Sequence, residues 1–414
     1  MIGPFGSTVV KDNYVNTTNN YYIRGLDIGN FFLKEPEAKI DDKLFNDLGR
    51  FHVKYEDIFI TVVGTLGKAS IITDKSIKAV FSCKSTIFRS RINPYYLTTF
   101  FNTDIGYKLL IRGKRGAIQE GLNLPDLQEI RVPIVSDNFQ LKIEELVKLA
   151  HSKEIKSKSL YKESEEILLK ELDLLDFEPT QENIAIKSFS ESFLATGRLD
   201  SEYYQPKYDE IVEKIKKVNY TMLGNIVDMK KSVEPGSKLY NDTGIEFIRV
   251  SNLTKSGLTQ SDIYLPHSFF GEGALEFLQP KKDTILLSKD GTVGVAYTIK
   301  DETSIVTSSA ILHLKVKDKN ILPEYLTLVL NSMVVQMQTE RDAGGSIIKH
   351  WRASEIEEVL IPIIDLKIQT KIEQKIKTSF QLKSESKALL ALAKRAVEVA
   401  IEEGEEVALE MINE

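Results

Sequence analysis

The chain has 414 residues, 42% hydrophobic and 28% charged, with a net charge of −6, a balance that fits folded globular protein and excludes disorder, a fibrous repeat and a uniformly basic nucleic-acid coat. Its length exceeds one ordinary domain, so two or more compact units are expected. One cysteine, Cys83, excludes an intrachain disulfide and a cysteine-rich zinc site; no apolar run reaches the ~20 residues of a membrane helix, and Met1-Ile2-Gly3-Pro4-Phe5 lacks the basic and apolar regions of a signal peptide, so a cytoplasmic protein is expected.

In chain order the first predicted strands are Tyr22-Ile23-Arg24-Gly25-Leu26-Asp27-Ile28 and Asp57-Ile58-Phe59-Ile60, the latter leading into Gly64-Thr65-Leu66-Gly67. Pro94-Tyr95-Tyr96-Leu97-Thr98 reads as a helix opened by proline, which is tolerated in a first turn. Gly116 and Leu127-Gln128-Glu129-Ile130-Arg131-Val132-Pro133-Ile134 complete the set. From Phe139 to about Leu175 runs a breaker-free amphipathic helix with Ile143, Leu146 and Leu149 along its seam. Glu178-Pro179-Thr180-Gln181 is linker-like, and Arg198 to Pro206 introduces a short helix ending near Lys217.

The same set then recurs in the same order: Phe247-Ile248-Arg249-Val250-Ser251-Asn252-Leu253, Asp283-Thr284-Ile285-Leu286 with Gly291-Thr292-Val293-Gly294, Pro323-Glu324-Tyr325-Leu326-Thr327, Gly345, and Ile356 to Ile363. A second long helix from Leu366 to about Glu403 carries Ile368, Ile372, Ile376 and Phe380. The chain is therefore a tandem duplication. The expected fold class is mixed α/β (α+β), with two repeated modules separated and joined by long helices that form an antiparallel coiled coil; packing of each helix on its own module is the other arrangement. The expected boundaries are 1–136 for the first module, 137–176 for the first long helix, 177–218 for linker and lead-in helix, 219–364 for the second module, and 365–414 for the second helix and tail. The first module starts almost inside its own fold, with Gly6-Ser7 standing where Gly236-Ser237 stands in the second. It reads as N-terminally shortened, unless a neighbouring chain or the linker supplies the lead-in segment. The tail from Glu405 to Glu414 reads as a frayed helix end or a docking segment.

This ordered, duplicated set resembles the DNA specificity (S) subunits of type I restriction-modification systems, from Gly3 to about Glu403. The resemblance rests on Gly3-Pro4-Phe5-Gly6-Ser7, the strands at Arg24 and Arg249, Gly345 to His350, the Ile-Pro strand exits, and Gln140 with Ile143 or Gln369 with Ile372. It departs from the family where Ser136-Asp137-Asn138-Phe139 and Ile364-Asp365-Leu366-Lys367-Ile368 intervene before the helices. It implies two target-recognition domains that read the halves of a bipartite double-stranded DNA site. It also implies long helices that dock two methyltransferase (M) subunits modifying adenine N6, joined by restriction (R) subunits.

Phosphate contacts require Lys and Arg, and base reading requires side chains with bidentate reach. In the first module Lys84, Arg89, Arg91, Lys108, Arg112, Lys114, Arg115 and Gln119 form the candidate DNA-binding set. In the second it is Lys230, Lys231, Lys289, Arg341, Ser346, Lys349, His350 and Arg352, with Trp351 placed to stack on a sugar or close a core edge. A solvated charge cluster is the plain alternative for both. The loops Asn30 to Asp47 and Thr254 to Gly273, where the copies stop matching, are the expected discriminators. Arg24 and Arg249 read as structural.

Catalysis finds no support. Asn93-Pro94-Tyr95-Tyr96 superficially resembles an adenine methyltransferase motif, but its repeat partner Leu322-Pro323-Glu324-Tyr325 lacks the asparagine and no glycine-rich cofactor loop precedes it. Gly64-Thr65-Leu66-Gly67-Lys68 has the wrong spacing for a phosphate loop, and no His pair or carboxylate cluster has metal-ligand spacing. No enzyme activity, cofactor or metal is expected. The alternatives are a coiled-coil protein-binding scaffold without DNA specificity, and a recognition part fused to a DNA methyltransferase.

Overall fold

The structure, a computed structural model, describes residues 1–4, 6–116, 120–345 and 348–413. It divides into two compact units, Met1–Lys156 with Leu382–Glu414, and Ser157–Gln381.

In the first unit β1 (Ile58–Thr61), β2 (Ala69–Ile71) and β3 (Ser85–Phe88) form an antiparallel sheet in the order β2-β1-β3, and Phe31–Phe32 adds in parallel outside β2. Alternate residues of a strand point to opposite faces. Accordingly Ile58 and Ile60 pack with Tyr96 and Phe100, whereas Phe59 packs with Ile23 and Phe81. Helices α1 (Pro94–Asn102) and α2 (Asp104–Arg112) follow. Pro94 sits in the first turn of α1, and Asn93 caps it by accepting from the backbone N–H of Tyr95 and Tyr96. The first long helix, α3 (Asp137–Glu171), then begins.

In the second unit the lead-in helix α4 (Pro206–Lys216) buries Tyr208, Ile211 and Ile215. The sheet repeats as β4 (Val227–Lys231), β5 (Ile285–Ser288), β6 (Ala296–Thr298) and β7 (Ile311–Val316), antiparallel in the order β6-β5-β7-β4. Helices α5 (Pro323–Asn331) and α6 (Met333–Asp342) follow, then the second long helix α7 (Leu366–Glu402) and a short α8 (Glu405–Asn413). The parallel pair of Tyr21–Ile23 with Ala79–Phe81 recurs as Ile245–Ile248 with Val306–Thr307.

The repeat is closest where the modules hand over to their long helices. Gln140 accepts from the Asn93 N–H at 3.0 Å and donates to the Val135 carbonyl, and Gln369 does the same with Leu322 at 3.1 Å and Ile364. The Tyr96 hydroxyl donates to the Pro133 carbonyl, and Tyr325 donates to Pro362. Both glutamines are buried, so each bond satisfies a backbone group that would otherwise be costly to leave unpaired. One detail of the sequence alignment changes. Glu56, not Asp57, is the counterpart of Asp283: both have positive φ, and their N–H groups donate to the equivalent carbonyls of Ile72 and Ile299.

The long helices run antiparallel, as expected. Within the first unit Ser386 donates to the Ala150 carbonyl and Lys153 pairs with Glu385; within the second Ser157 meets Ser379 and Lys375 pairs with Glu163. Both packing arrangements read from sequence hold together. Ile143 and Val147 join the first unit's core with Ala393, Ala396 and Val397, while Leu168, Ile372 and Ile376 join the second unit's core. Ile368, Phe380 and Leu146 are partly buried against these cores. Leu149 is the exception and is exposed. A helix advances about 100° per residue, so counting in threes from Ile143 drifts off the buried face. Val147 and Ala150 occupy that face instead. Helix α8 docks on the first unit. Ala408 is buried, Leu409 and Ile412 pack against the core, and the Glu405 carboxylate accepts from the Ser136 N–H and hydroxyl.

His313 in β7 predicts an acid-sensitive second unit. It is 4% exposed, its Nε2 meets the Thr307 hydroxyl at 2.8 Å, and burial, with Lys230 opposite on β4, lowers its pKa to about 4. The unfolded chain protonates this imidazole near 6.5, so stability is fully present above that pH and declines as pH falls toward 4. The decline amounts to about 3 kcal/mol. In urea titrations of the second unit's transition, His313→Leu is expected to flatten this limb; an unchanged slope would remove His313 as the cause.

Candidate functional site

In both units the central strand runs into the Gly-x-x-Gly turn. Gly64 and Gly67 have φ of 86° and 76°, and Gly291 and Gly294 have 74° and 81°. L-residues rarely adopt these values. A Cβ on Gly294 would also crowd the Gln336 amide that donates to its carbonyl.

Against each turn lies a second hairpin with the same backbone bonding. In the first unit Arg115 and Gly121 exchange both hydrogen bonds, at 3.0 and 2.8 Å, and the Leu122 N–H donates to the Val62 carbonyl at 2.9 Å. In the second unit Gly344 and His350 exchange theirs at 3.1 and 2.7 Å, and the Trp351 N–H donates to the Lys289 carbonyl at 2.8 Å. Gly121 bridges to Val63 and His350 to Asp290 in the same way. One backbone frame is thus built twice and dressed differently: Val63, Gly121 and Leu122 in one unit, Asp290, His350 and Trp351 in the other. Gln119 and Ser346 lie outside the described residues.

The second unit gathers Lys231, Lys289, His350 and Arg352 around one depression with Asp290 and Trp351. Asp290 holds the cluster, pairing with the Lys289 ammonium through one oxygen and with His350 Nδ1 at 2.8 Å through the other. Arg352 is tethered at the rim by Glu355, Nε to Oε1 at 3.0 Å. Lys349 is exposed beside it. Lys230 lies apart. Adjacent strand residues face opposite ways, and its ammonium donates to the Phe277 carbonyl in a cavity with Lys281, Lys282, Lys315 and His313. Burial first, then Lys281, holds Lys230 below the ordinary lysine range. Arg341 is also apart: Asp342 binds its guanidinium at 2.7 Å and the Tyr203 ring covers it. Trp351 is 1% exposed, which closes the option of stacking on a sugar.

In the first unit Arg112, Lys114 and Arg115 line a cavity of about 760 Å³ with Asp126, Glu129 and Arg131. Arg115 bonds Asp126 Oδ1 at 2.6 Å and Lys114 pairs with Glu120 at 2.8 Å. Lys108 is exposed on α2, and Lys84 and Arg91 are exposed on other segments. Arg89 is committed to the buried Asp57, at 2.8 and 3.1 Å. Asp290, Asp126 and Arg131 are not in the sequence-predicted DNA-binding set, although Asp126 and Arg131 are weighed with Glu129 as a nuclease cluster and set aside; the adjacency of Asp290 to Lys289 was the available signal for the first. Arg24 bonds Asp27 and Glu37, and Arg249 bonds Asp262. Among the described residues no cluster of His, Cys, Asp and Glu is placed to hold a metal, and no helix is long and apolar enough to cross a membrane.

Comparison with known proteins gives consistent findings. Residues 215–391 match the family model described as type I restriction modification DNA specificity domain. Over 402 residues the chain is 21% identical to the type I restriction enzyme EcoBI specificity subunit of Escherichia coli, covering 90% of this chain and 78% of that protein. Among solved structures, the S subunit of a type I restriction-modification system from M. genitalium aligns with a TM-score of 0.46 at 12% identity, over 96% of this chain and 91% of that one. The HsdS subunit from Thermoanaerobacter tengcongensis aligns with a TM-score of 0.30 at 13% identity, over 95% and 92%.

Proposed function

We propose, from the premise that this chain resembles type I restriction-modification specificity subunits along most of its length and carries their DNA specificity domain in residues 215–391, that it is the non-catalytic subunit that reads a bipartite DNA target. Each module reads one half-site. The long helices set the gap and dock two adenine-N6 methyltransferase subunits, which restriction subunits join. The observation that carries this reading is the hairpin frame present once per unit, sharing three backbone bonds and different in side chains. Two readers of related build and different dress are what an asymmetric two-part target requires.

The basic residues make the reading testable by salt. Each phosphate neutralised releases counterions, so affinity falls log-linearly with salt at a slope of roughly −0.9 per contact. For the full chain with duplex DNA, measured by anisotropy from 50 to 200 mM salt, a loss of about 10²-fold or more is expected. A protein-binding scaffold without DNA specificity would show no duplex affinity to lose.

A further inference from the structure

We infer that the first unit carries a docking seat for an acidic helix-and-strand segment of another protein, formed by the outer face of α2 and the extended edge from Arg131 to Ile134; this stands apart from the DNA-reading role. The second unit shows how such a seat is filled. There one stretch, Arg198 to Met222, covers α6 and the edge Leu360–Pro362. Its helix α4 packs on α6 with Tyr208, Ile211 and Ile215 buried, the Tyr203 ring covers Arg341, and Tyr220–Met222 pairs antiparallel with Leu360–Pro362. Under this cover α6 buries Val334, Val335, Met337, Gln338, Thr339 and Asp342.

In the repeat α2 answers to α6, Arg112 to Arg341 and Arg131–Pro133 to Leu360–Pro362, yet the first unit's surface stays bare. Helix α2 buries only Gly106 and Leu110, and Tyr107 and Arg112 are exposed. Among the described residues Arg131, Val132 and Ile134 make no backbone hydrogen bond, and Ile134 is 75% exposed although α8 docks close by at Ser136. Leu109, Arg112, Ile130 and Arg131 line the cavity of about 760 Å³ between helix and edge.

The residues select the occupant. A polypeptide can lay a helix on an apolar face and add a strand to an unpaired edge. A phosphate backbone only accepts, so it meets neither the apolar face nor the carbonyls of the edge. The Asp342 carboxylate holds the Arg341 guanidinium, whereas Gly113 stands in that place beside Arg112. Arg112 and Arg131 have no ion pair among the described residues, so the occupant brings the carboxylates. This chain's own covering stretch is already seated, and the linker is tied to it, Thr180 N–H to Glu210 at 3.0 Å and Lys187 to Asp209 at 3.2 Å. A second copy would empty one seat to fill another, which leaves a different protein.

The probe is a dye-labelled peptide of residues 198–222 carrying Lys207→Glu. Lys207 pairs with Glu340 in the second unit, and Ile111 takes the place of Glu340 in the first, so the change directs the peptide to the first unit. The full chain is titrated with it by anisotropy, and amide hydrogen exchange locates the peptide. Saturable binding is expected, with protection gained over α2 and residues 130–134 and none over α6. The unsubstituted peptide is expected to bind about three-fold more weakly. Arg112→Glu is expected to weaken the Lys207→Glu peptide about ten-fold while thermal stability and duplex binding stay at wild type. Absence of saturable binding, or protection elsewhere, would overturn the seat. Loss of duplex affinity in Arg112→Glu, with α2 protected by duplex, would make the face a DNA contact and overturn the protein assignment. Dimers of the full chain in which α2 is protected would put a second copy on the face and overturn the different-protein assignment.

Discussion

Insertion of one heptad into each long helix, after Lys156 and after Gln381, is expected to abolish tight binding to the parental DNA site while leaving each half-site preference intact. Seven residues lengthen a helix by about 10 Å, equivalent to about three base pairs of duplex. The added turns fall within about 20° of a whole number, so the seam that carries Ser157 against Ser379 and Ser386 against Ala150 keeps its facing. Both helices must be lengthened, because an antiparallel pair changed on one side loses its register. Two linked readers owe their avidity to simultaneous engagement, and losing that costs about 10²- to 10⁴-fold. Competition binding on duplexes with gaps altered base pair by base pair checks this. The optimum is expected to lengthen by about three base pairs; an unmoved optimum would show that the helices do not set the gap.

Truncation of Ile143 to alanine is expected to cost about 2–5 kcal/mol in the unfolding of the first unit, and the same change at Leu149 less than about 0.5 kcal/mol. Both residues lie on α3 and both are large and aliphatic. Ile143 is wholly buried with Phe139, Val147 and Val397, while Leu149 is exposed. The contrast isolates the buried face from mere helix hydrophobicity. Urea unfolding with m-values monitored decides it. Equal costs at the two positions would mean that the helix faces are assigned wrongly.

Much of this architecture was legible in the residues themselves. Two matching sets in the same order reveal the duplication, and the first-turn prolines Pro94 and Pro323 open their helices where expected. Helical spacing located both long helices to within a few residues at each end. What escaped was information that only tertiary context holds. Lys230 and Lys231 are neighbours in sequence, yet they serve opposite faces of a sheet, which follows only once both are known to lie in the strand β4. Arg341 looked free because its cover, Tyr203, comes from the linker far upstream. Trp351 is apolar in either reading, and its burial depends on the hairpin bond to Lys289. The docking of α8 on the first unit rests on contacts across most of the chain length, Glu405 to Ser136 among them.

The most direct test of the central claim is selection from a pool of random duplexes by the full chain, alone and with its methyltransferase partner, followed by sequencing of the bound fraction. The account predicts enrichment of a two-part motif whose halves are separated by a fixed number of unselected base pairs, with substitutions at His350 or Arg352 leaving the half read by the first unit unchanged. Recovery of no motif, even with the partner present, would contradict it and favour a scaffold that binds protein alone.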